Sequence, residues 1–178
     1  MPLAFSHRLA RRDDIPALRV LMDSAIRELQ RGFLSPDEIV ASASIMGLDT
    51  QLVEDGTYFI AENEGRISGS GGWSRRATLF GGDHSAGRSA ALLDPAKDAA
   101  RVRAMYTNPD FARRGVGRMI LGLCEAAAKT EGFTRVELAA TLAGEPLYRA
   151  CGYVPLEHFR SETPQGVRIP LIRMGKTL

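Results

Sequence analysis

The sequence has no long apolar run, only two cysteines, three histidines and one tryptophan, and almost no excess of charge of either sign. Each shortage excludes something. A spanning helix needs about 18 consecutive apolar residues and no window approaches that, so no membrane partner is expected. The opening Met-Pro-Leu-Ala-Phe-Ser-His-Arg has no long apolar run behind it, and a secretory leader is not expected either. Cys124 and Cys151 sit in apolar helical patterns without metal-ligand spacing, which points to a reduced, cytoplasmic type of protein with no metal centre. Basic and acidic residues number 23 and 21, a net charge of +2, too balanced to imply nucleic acid.

What is present describes an ordinary globular chain. At 178 residues, 44% hydrophobic and 25% charged, residues 1–178 read as one domain with enough apolar side chains for a core. A short strand is expected at 5–10. Asp13-Asp14-Ile15-Pro16 then resembles an aspartate-capped helix start, followed by Ile15, Leu18, Met22, Ile26 and Leu29 at helical spacing. Ser35-Pro36-Asp37-Glu38 forms a capping box for a second helix reaching about Met46. Residues 57–62 and 66–74 read as a hairpin around Asn63-Glu64-Gly65. Gly69, Gly71 and Gly72 in its second strand mark a bulge, close packing against another backbone, or a ligand passing over; Trp73 reads as core or pocket wall. Residues 75–100 have no periodicity and predict a long loop, either a functional flap or a disordered segment, with His84 on it.

The most informative stretch is 102–117, V-R-A-M-Y-T-N-P-D-F-A-R-R-G-V-G. It predicts a strand, a turn at Asn108-Pro109-Asp110, and a helix start carrying Arg113, Arg114, Gly115, Gly117 and Arg118. Such a start leaves backbone N–H groups without partners, and glycine lets an anion approach them. The helix runs to Glu131 with a buried stripe at Val116, Ile120, Leu123, Cys124 and Ala127, and Gly132 closes it. A strand at 136–140 follows, so the unit predicts a crossover between two parallel strands. A dinucleotide fingerprint fails, because the position that wants its third glycine is Ile120; a triphosphate loop fails because no Gly-Lys-Ser/Thr follows.

Downstream, Gly144 to Tyr153 reads G-E-P-L-Y-R-A-C-G-Y. The two motifs in this order resemble the GNAT superfamily of acyl-CoA N-acyltransferases, whose phosphate loop follows Q/R-x-x-G-x-G/A and whose later signature is a helical tyrosine followed by glycine and an aromatic. Tyr148, Gly152 and Tyr153 match the second. Two positions depart: the first loop position is Ala112, and the family's frequent asparagine is Thr141. The resemblance implies an α/β (α+β) fold with a mixed, mostly antiparallel sheet of about seven strands, one parallel crossover pair and helices on both faces. It also implies acetyl-CoA as co-substrate, with no metal, and direct transfer to a primary amine within a ternary complex. The acceptor, a small molecule or a peptide or protein amine, is left open, as is a homodimer. By the same resemblance the pyrophosphate lies on Arg113, Arg114, Gly115, Val116, Gly117 and Arg118. The oxyanion donor is a backbone N–H of Met105, Tyr106 or Thr107 on a bulged strand. Thr141 offers its hydroxyl to the pantetheine arm or to a backbone group, and Tyr148 protonates the departing sulfur.

No base for the amine stands out. Glu28, His84, Glu137 and His158 are candidates, and for each a solvated or structural role competes. The cysteines fall on buried faces and disfavour a covalent acyl-enzyme. By the same resemblance, Glu28 and the loop at 32–35 shape the acceptor site. A non-catalytic acyl-CoA-binding domain is the alternative reading; it would keep the arginine cradle without needing Tyr148. Two last strands, 154–160 and 167–174, predict an antiparallel pair, with Arg168 and Arg173 as a basic edge or facing an acidic group.

Overall fold

The computed structural model describes residues 4–178; residues 1–3, which begin the stretch read above as lacking a leader, lie outside the described residues. The strands are β1 (Ser6–Leu9), β2 (Tyr58–Asn63), β3 (Arg66–Ser74), β4 (Ala100–Thr107), β5 (Arg135–Thr141), β6 (Val154–Glu162) and β7 (Arg168–Thr177). They form one sheet in the order β1-β2-β3-β4-β5-β7-β6. Only β4 and β5 pair in parallel. This is the expected mixed seven-stranded architecture with its parallel crossover pair.

Helices cover both faces. Successive residues on a strand point to opposite sides, so Ile60 packs with Leu18, Met22 and Ile26 of α1 (Ile15–Leu29). Its neighbour Ala61 packs with Val116, Ile120 and Cys124 of α4 (Val116–Thr130). A third cluster joins Ala41 of α2 (Pro36–Ser42) and Ile45 to Ile169 and Leu171 of β7. Two short helices, α3 (Thr50–Glu54) and α5 (Glu145–Ala150), complete the set. No helix among the described residues is long and apolar enough to cross a membrane.

Local rules account for most boundaries. Ser35 Oγ accepts from Glu38 N–H at 3.2 Å while Glu38 returns a carboxylate oxygen to Ser35 N–H at 2.8 Å, the capping box expected there. Asp14 does not cap α1: its carboxylate accepts from Arg11 N–H and from Arg8, closing a 3-10 turn at Arg12–Asp14 ahead of the helix. The second helix stops at Ser42, short of Met46. On α4 the buried stripe is Val116, Ile120, Leu121, Cys124 and Ala128, so Leu121 and Ala128 replace the expected Leu123 and Ala127. Arg173 is not on an edge: β7 is inserted between β5 and β6, and Arg173 pairs with Glu137.

The glycines of β3 turn out to serve close packing. A Cβ on Gly69 would lie 2.5 Å from Val116 Cγ1, one on Gly71 would overlap the Met105 sulfur, and one on Gly72 would lie 2.7 Å from the Thr57 carbonyl oxygen. Helix α4 therefore lies directly on the β3 backbone. Trp73 beside them is core, 2% exposed.

These contacts predict opposite outcomes for two alanine substitutions. At Gly72 the obstacle is backbone and cannot swing away, so Gly72→Ala is expected to lower stability by about 1–3 kcal/mol. Gly122 faces open space in the middle of α4, where alanine is the better helix former. Gly122→Ala is expected to raise stability by roughly 0.5–1 kcal/mol, both read from urea midpoints at unchanged slope.

Candidate active site

The opening in the sheet is made by β4. It pairs with β5 only at Ala100↔Val136 and Arg101↔Glu137, after which the two strands separate. On its other side β4 pairs with β3 through Gly72↔Arg103 and Ser70↔Tyr106, a one-residue slip that leaves Ala104 and Met105 opposite Gly71 alone. This is a β-bulge, as expected for the strand before the loop. Ala104 takes φ 51°, a left-handed conformation that disfavours any side chain. The buried Tyr58 holds it there, its hydroxyl donating to the Ala104 carbonyl at 2.8 Å and contacting Ser70 Oγ at 2.9 Å.

Beyond the bulge lies a cavity of about 110 Å³ walled by Met105 and Tyr106 of β4, Leu138 and Thr141 of β5, Tyr148 of α5, and Gly47 and Phe80 from the loops. It brings together, from separate parts of the chain, the bulged backbone and the candidate acid. Tyr148 is 8% exposed, its ring set edge-on to Tyr153 with centroids 5.9 Å apart. Its hydroxyl has no hydrogen-bond partner among the described residues. Burial pushes its pKa up, so the phenol keeps its proton at neutral pH. Thr141 Oγ1 accepts from Gly144 N–H at 3.1 Å, capping the turn into α5. Tyr106 contributes its backbone at the bulge, while its hydroxyl accepts from Gly47 N–H at 2.6 Å and ties the loop after α2 to the sheet.

The cradle follows directly. Asn108 Oδ1 accepts from Asp110 N–H and Asn108 Nδ2 donates to the Ile67 carbonyl, fixing the turn after Thr107. Arg113 at φ 60° and Gly115 at φ 89° then reverse the chain into α4. Gly115 supplies no side-chain cap and the first turn holds no acidic residue, so the leading N–H groups of Val116, Gly117 and Arg118 keep their positive end free. Arg113, Arg114 and Arg118 are exposed around it. Such an arrangement of turned backbone and guanidinium groups fits a phosphate. Val116 offers only its backbone, since its side chain is buried. Gly117 makes room for α5: a Cβ there would lie 2.7 Å from Leu147 Cδ2.

The remaining candidates separate from this centre. Glu137 is held by Arg101 at 3.1 Å and Arg173 at 2.9 Å, a structural ion pair. Glu28 is exposed and accepts from Ser24, and His158 is exposed on β6. His84 is exposed, its Nε2 2.7 Å from the Ala43 carbonyl. Cys124 is fully buried and burial pushes its thiol pKa up, so it is no nucleophile. The long loop is folded against the sheet: Arg76 grips Asp55 with two bonds of 2.7 and 2.9 Å, and Gly81 and Phe80 wall the cavity. Sequence reasoning did not single out Asp49, Arg88 or Arg103, which form a cluster next to the cavity with Asp49 and Arg103 buried; the available signal was Arg103, a charged residue directly after Val102 in a predicted core strand.

This combination of a splayed parallel pair, a bulged strand and an arginine-flanked helix start defines a class. Residues 22–153 match the model of the Acetyltransferase (GNAT) family, and the chain belongs to that family. No curated protein matches it. A GCN5-related N-acetyltransferase from Rhodopseudomonas palustris is similar over 100% of this chain and 99% of its own, with 18% identity and a TM-score of 0.73. The PaiA N-acetyltransferase of Thermoplasma acidophilum, solved in complex with coenzyme A, is 12% identical with a TM-score of 0.66 over 99% of this chain and 100% of its own. The ribosomal-protein-S18-alanine N-acetyltransferase of Escherichia coli is 16% identical with a TM-score of 0.59 over 98% and 94%. At these identities the likeness concerns the fold.

All four tyrosines are buried, and burial raises the pKa of Tyr58, Tyr106, Tyr148 and Tyr153 above the ordinary 10.0, to about 12 for Tyr106. A phenol whose folded pKa is raised favours folding below its unfolded pKa and loses that contribution as pH climbs past it. Stability is therefore expected to be level up to about pH 10 and to fall between about pH 10 and about pH 12. Tyrosinate absorbance should appear only with loss of the folded circular dichroism; free titration of the phenols in the folded protein near pH 10 would contradict the burial assigned to them.

Proposed function

We propose that this protein is an N-acetyltransferase that takes the acetyl group of acetyl-CoA and passes it directly to a primary amine while both are bound. The observation that carries this reading is Tyr148, a protonated phenol with no hydrogen-bond partner among the described residues, lining the same cavity as the bulged backbone of β4. The family assigns acetyl transfer, and the fold is shared with proteins whose names specify N-acetylation and coenzyme A.

In the proposed reaction a neutral amine attacks the thioester carbonyl, and negative charge grows on the carbonyl oxygen. A backbone N–H at Met105, Tyr106 or Thr107 donates to it, on a stretch that has no pairing partner in β5. The carbon–sulfur bond then breaks, Tyr148 passes its proton to the leaving sulfur, and the nitrogen releases a proton to water. Backbone N–H groups at Gly115, Val116 and Gly117, with Arg113, Arg114 and Arg118, hold the pyrophosphate. Thr141 already serves the Gly144 N–H, and its own hydroxyl proton is available to the pantetheine arm. The acceptor is a small amine or a peptide or protein amine. The unpaired thiols of Cys124 and Cys151 suit a reducing, cytoplasmic setting. Residues 1–178 act as one domain, and a homodimer is compatible with this reading.

Tyr148→Phe removes one oxygen and little volume. It is expected to lower kcat about 10²-fold while the KM for acetyl-CoA moves less than about threefold, as measured by release of coenzyme A thiol. Unchanged turnover would sink the acid role. Replacing Arg113, Arg114 and Arg118 together by alanine is expected to raise that KM about tenfold and to flatten its dependence on salt, since exposed charges contribute roughly 0.2–1 kcal/mol each.

A further inference from the structure

Behind the bulge lies a second cavity of about 220 Å³, enclosed by the end of β3, the start of α3 and the loop that follows β3. Three arginines line it: Arg76, Arg88 and Arg103. Asp49, wholly buried, binds both Arg103 Nη1 and Arg88 Nη2, the latter at 2.9 Å. Asp55 binds Arg76 from outside the lining. Three guanidinium groups thus face two carboxylates, an excess of one positive charge, with Arg103 buried and Arg76 and Arg88 partly exposed.

The hydrogen-bond inventory shows the same shortfall. Arg103 is 5% exposed, and its Nε–H has no acceptor among the described residues; Arg88 Nη1 is also buried without one there. The other Arg103 nitrogens are satisfied by Asp49 and the Gly81 carbonyl. Burial lowers the Arg103 pKa, Asp49 opposes this, and the neighbouring Arg88 charge lowers it further. A buried guanidinium group with one N–H left without an acceptor, beside surplus positive charge, calls for an anion.

Arg103 also lines the cavity that holds Tyr148, and the next residue is the bulged Ala104. We propose that Arg76, Arg88 and Arg103 form a monoanion site for a carboxylate, and that the carboxylate is carried by the amine acceptor. The assignment of this carboxylate to the acceptor rests on the N-acetyltransfer reading; the anion site itself does not. Ser74 Oγ, which accepts from Arg76 N–H, has its own proton left to donate into the same cavity. An acceptor anchored here would reach the transfer cleft past Arg103 and would be selected as an amino acid or other amino carboxylate, with simple alkyl amines discriminated against.

The experiment has two arms. In the first, wild-type protein and Arg88→Gln are melted in formate or chloride at equal ionic strength, without acetyl-CoA. Formate is expected to raise the wild-type Tm by about 3 °C and to leave Arg88→Gln unmoved. Equal shifts in both, or none in the wild type, would overturn the site. So would a fall of more than about 5 °C in Arg88→Gln without anion, because Asp49 keeps Arg103 and should tolerate the loss unless Arg88 is there only to satisfy it. The second arm compares glycine, β-alanine and γ-aminobutyrate, each against its amide, as acetyl acceptors. Carboxylates are expected to exceed amides by about tenfold or more in kcat/KM, an advantage lost in Arg88→Gln. Equal rates for acid and amide, with formate binding intact, would mean that the site takes a free carboxylate and would overturn its assignment to the acceptor. Formate binding with no acetylation of any amine would tell against N-acetyltransfer and leave the anion site standing.

Discussion

The structure depends on a central strand that is hydrogen-bonded along only part of its length. Past Arg101, β4 has no partner in β5, and at Ala104–Met105 it also falls out of register with β3. Interior backbone groups are expensive to leave unpaired, so a gap in the middle of a sheet needs support from the protein and a polar ligand to complete it. Support comes from Tyr58, which satisfies the Ala104 carbonyl, and from Gly71, which leaves space for the Met105 side chain. Closure at the far side comes from the loop after β3, whose Phe80 rests tilted on Phe159 of β6 with centroids 5.8 Å apart. The cleft is therefore a consequence of strand pairing, and the side chains around it maintain an opening that backbone geometry creates.

What could be read in the sequence was what neighbouring residues decide. Strand, turn and helix around 102–117 follow from proline, glycine and apolar spacing, and the capping box at Ser35–Glu38 is a contact over three positions. The glycines of β3 were legible as a problem, while their use in packing depended on where α4 lies. The rotation of α4 was not legible, because apolar side chains occupy almost every position from Met119 to Ala128 and leave the stripe undetermined. Helix α3 has five residues, too short to show a period. Arg173 looked like an edge charge because strand order is a tertiary fact; inside the sheet it is a partner for Glu137.

The buried charges mark the sharpest limit. Asp49 and Arg103 lie 54 positions apart, and nothing local announces their pairing. Once paired, they join α3 to β4 at the bulge, and the loop closes over them through Arg88 and the Gly81 carbonyl. A stretch with no periodicity is thus ordered by charge and backbone contacts, and it walls the cavity.

The two motifs at 113–118 and 144–153, about thirty residues apart in the sequence, pack against each other. Gly117 sits in the first turn of α4, where a small residue suits an approaching anion, yet the space left by its missing side chain is filled by Leu147. Leu147 precedes Tyr148 on α5, and the Tyr148 ring rests against Gly144, where a Cβ would lie 3.0 Å away. Two glycines therefore leave room for Leu147 and for the Tyr148 ring. A side chain at 117 would displace the Leu147 methyl and crowd the helix start. The helix start of α4 and the tyrosine of α5 are thus neighbours through Gly117 and Leu147, two positions that the sequence separates by thirty residues.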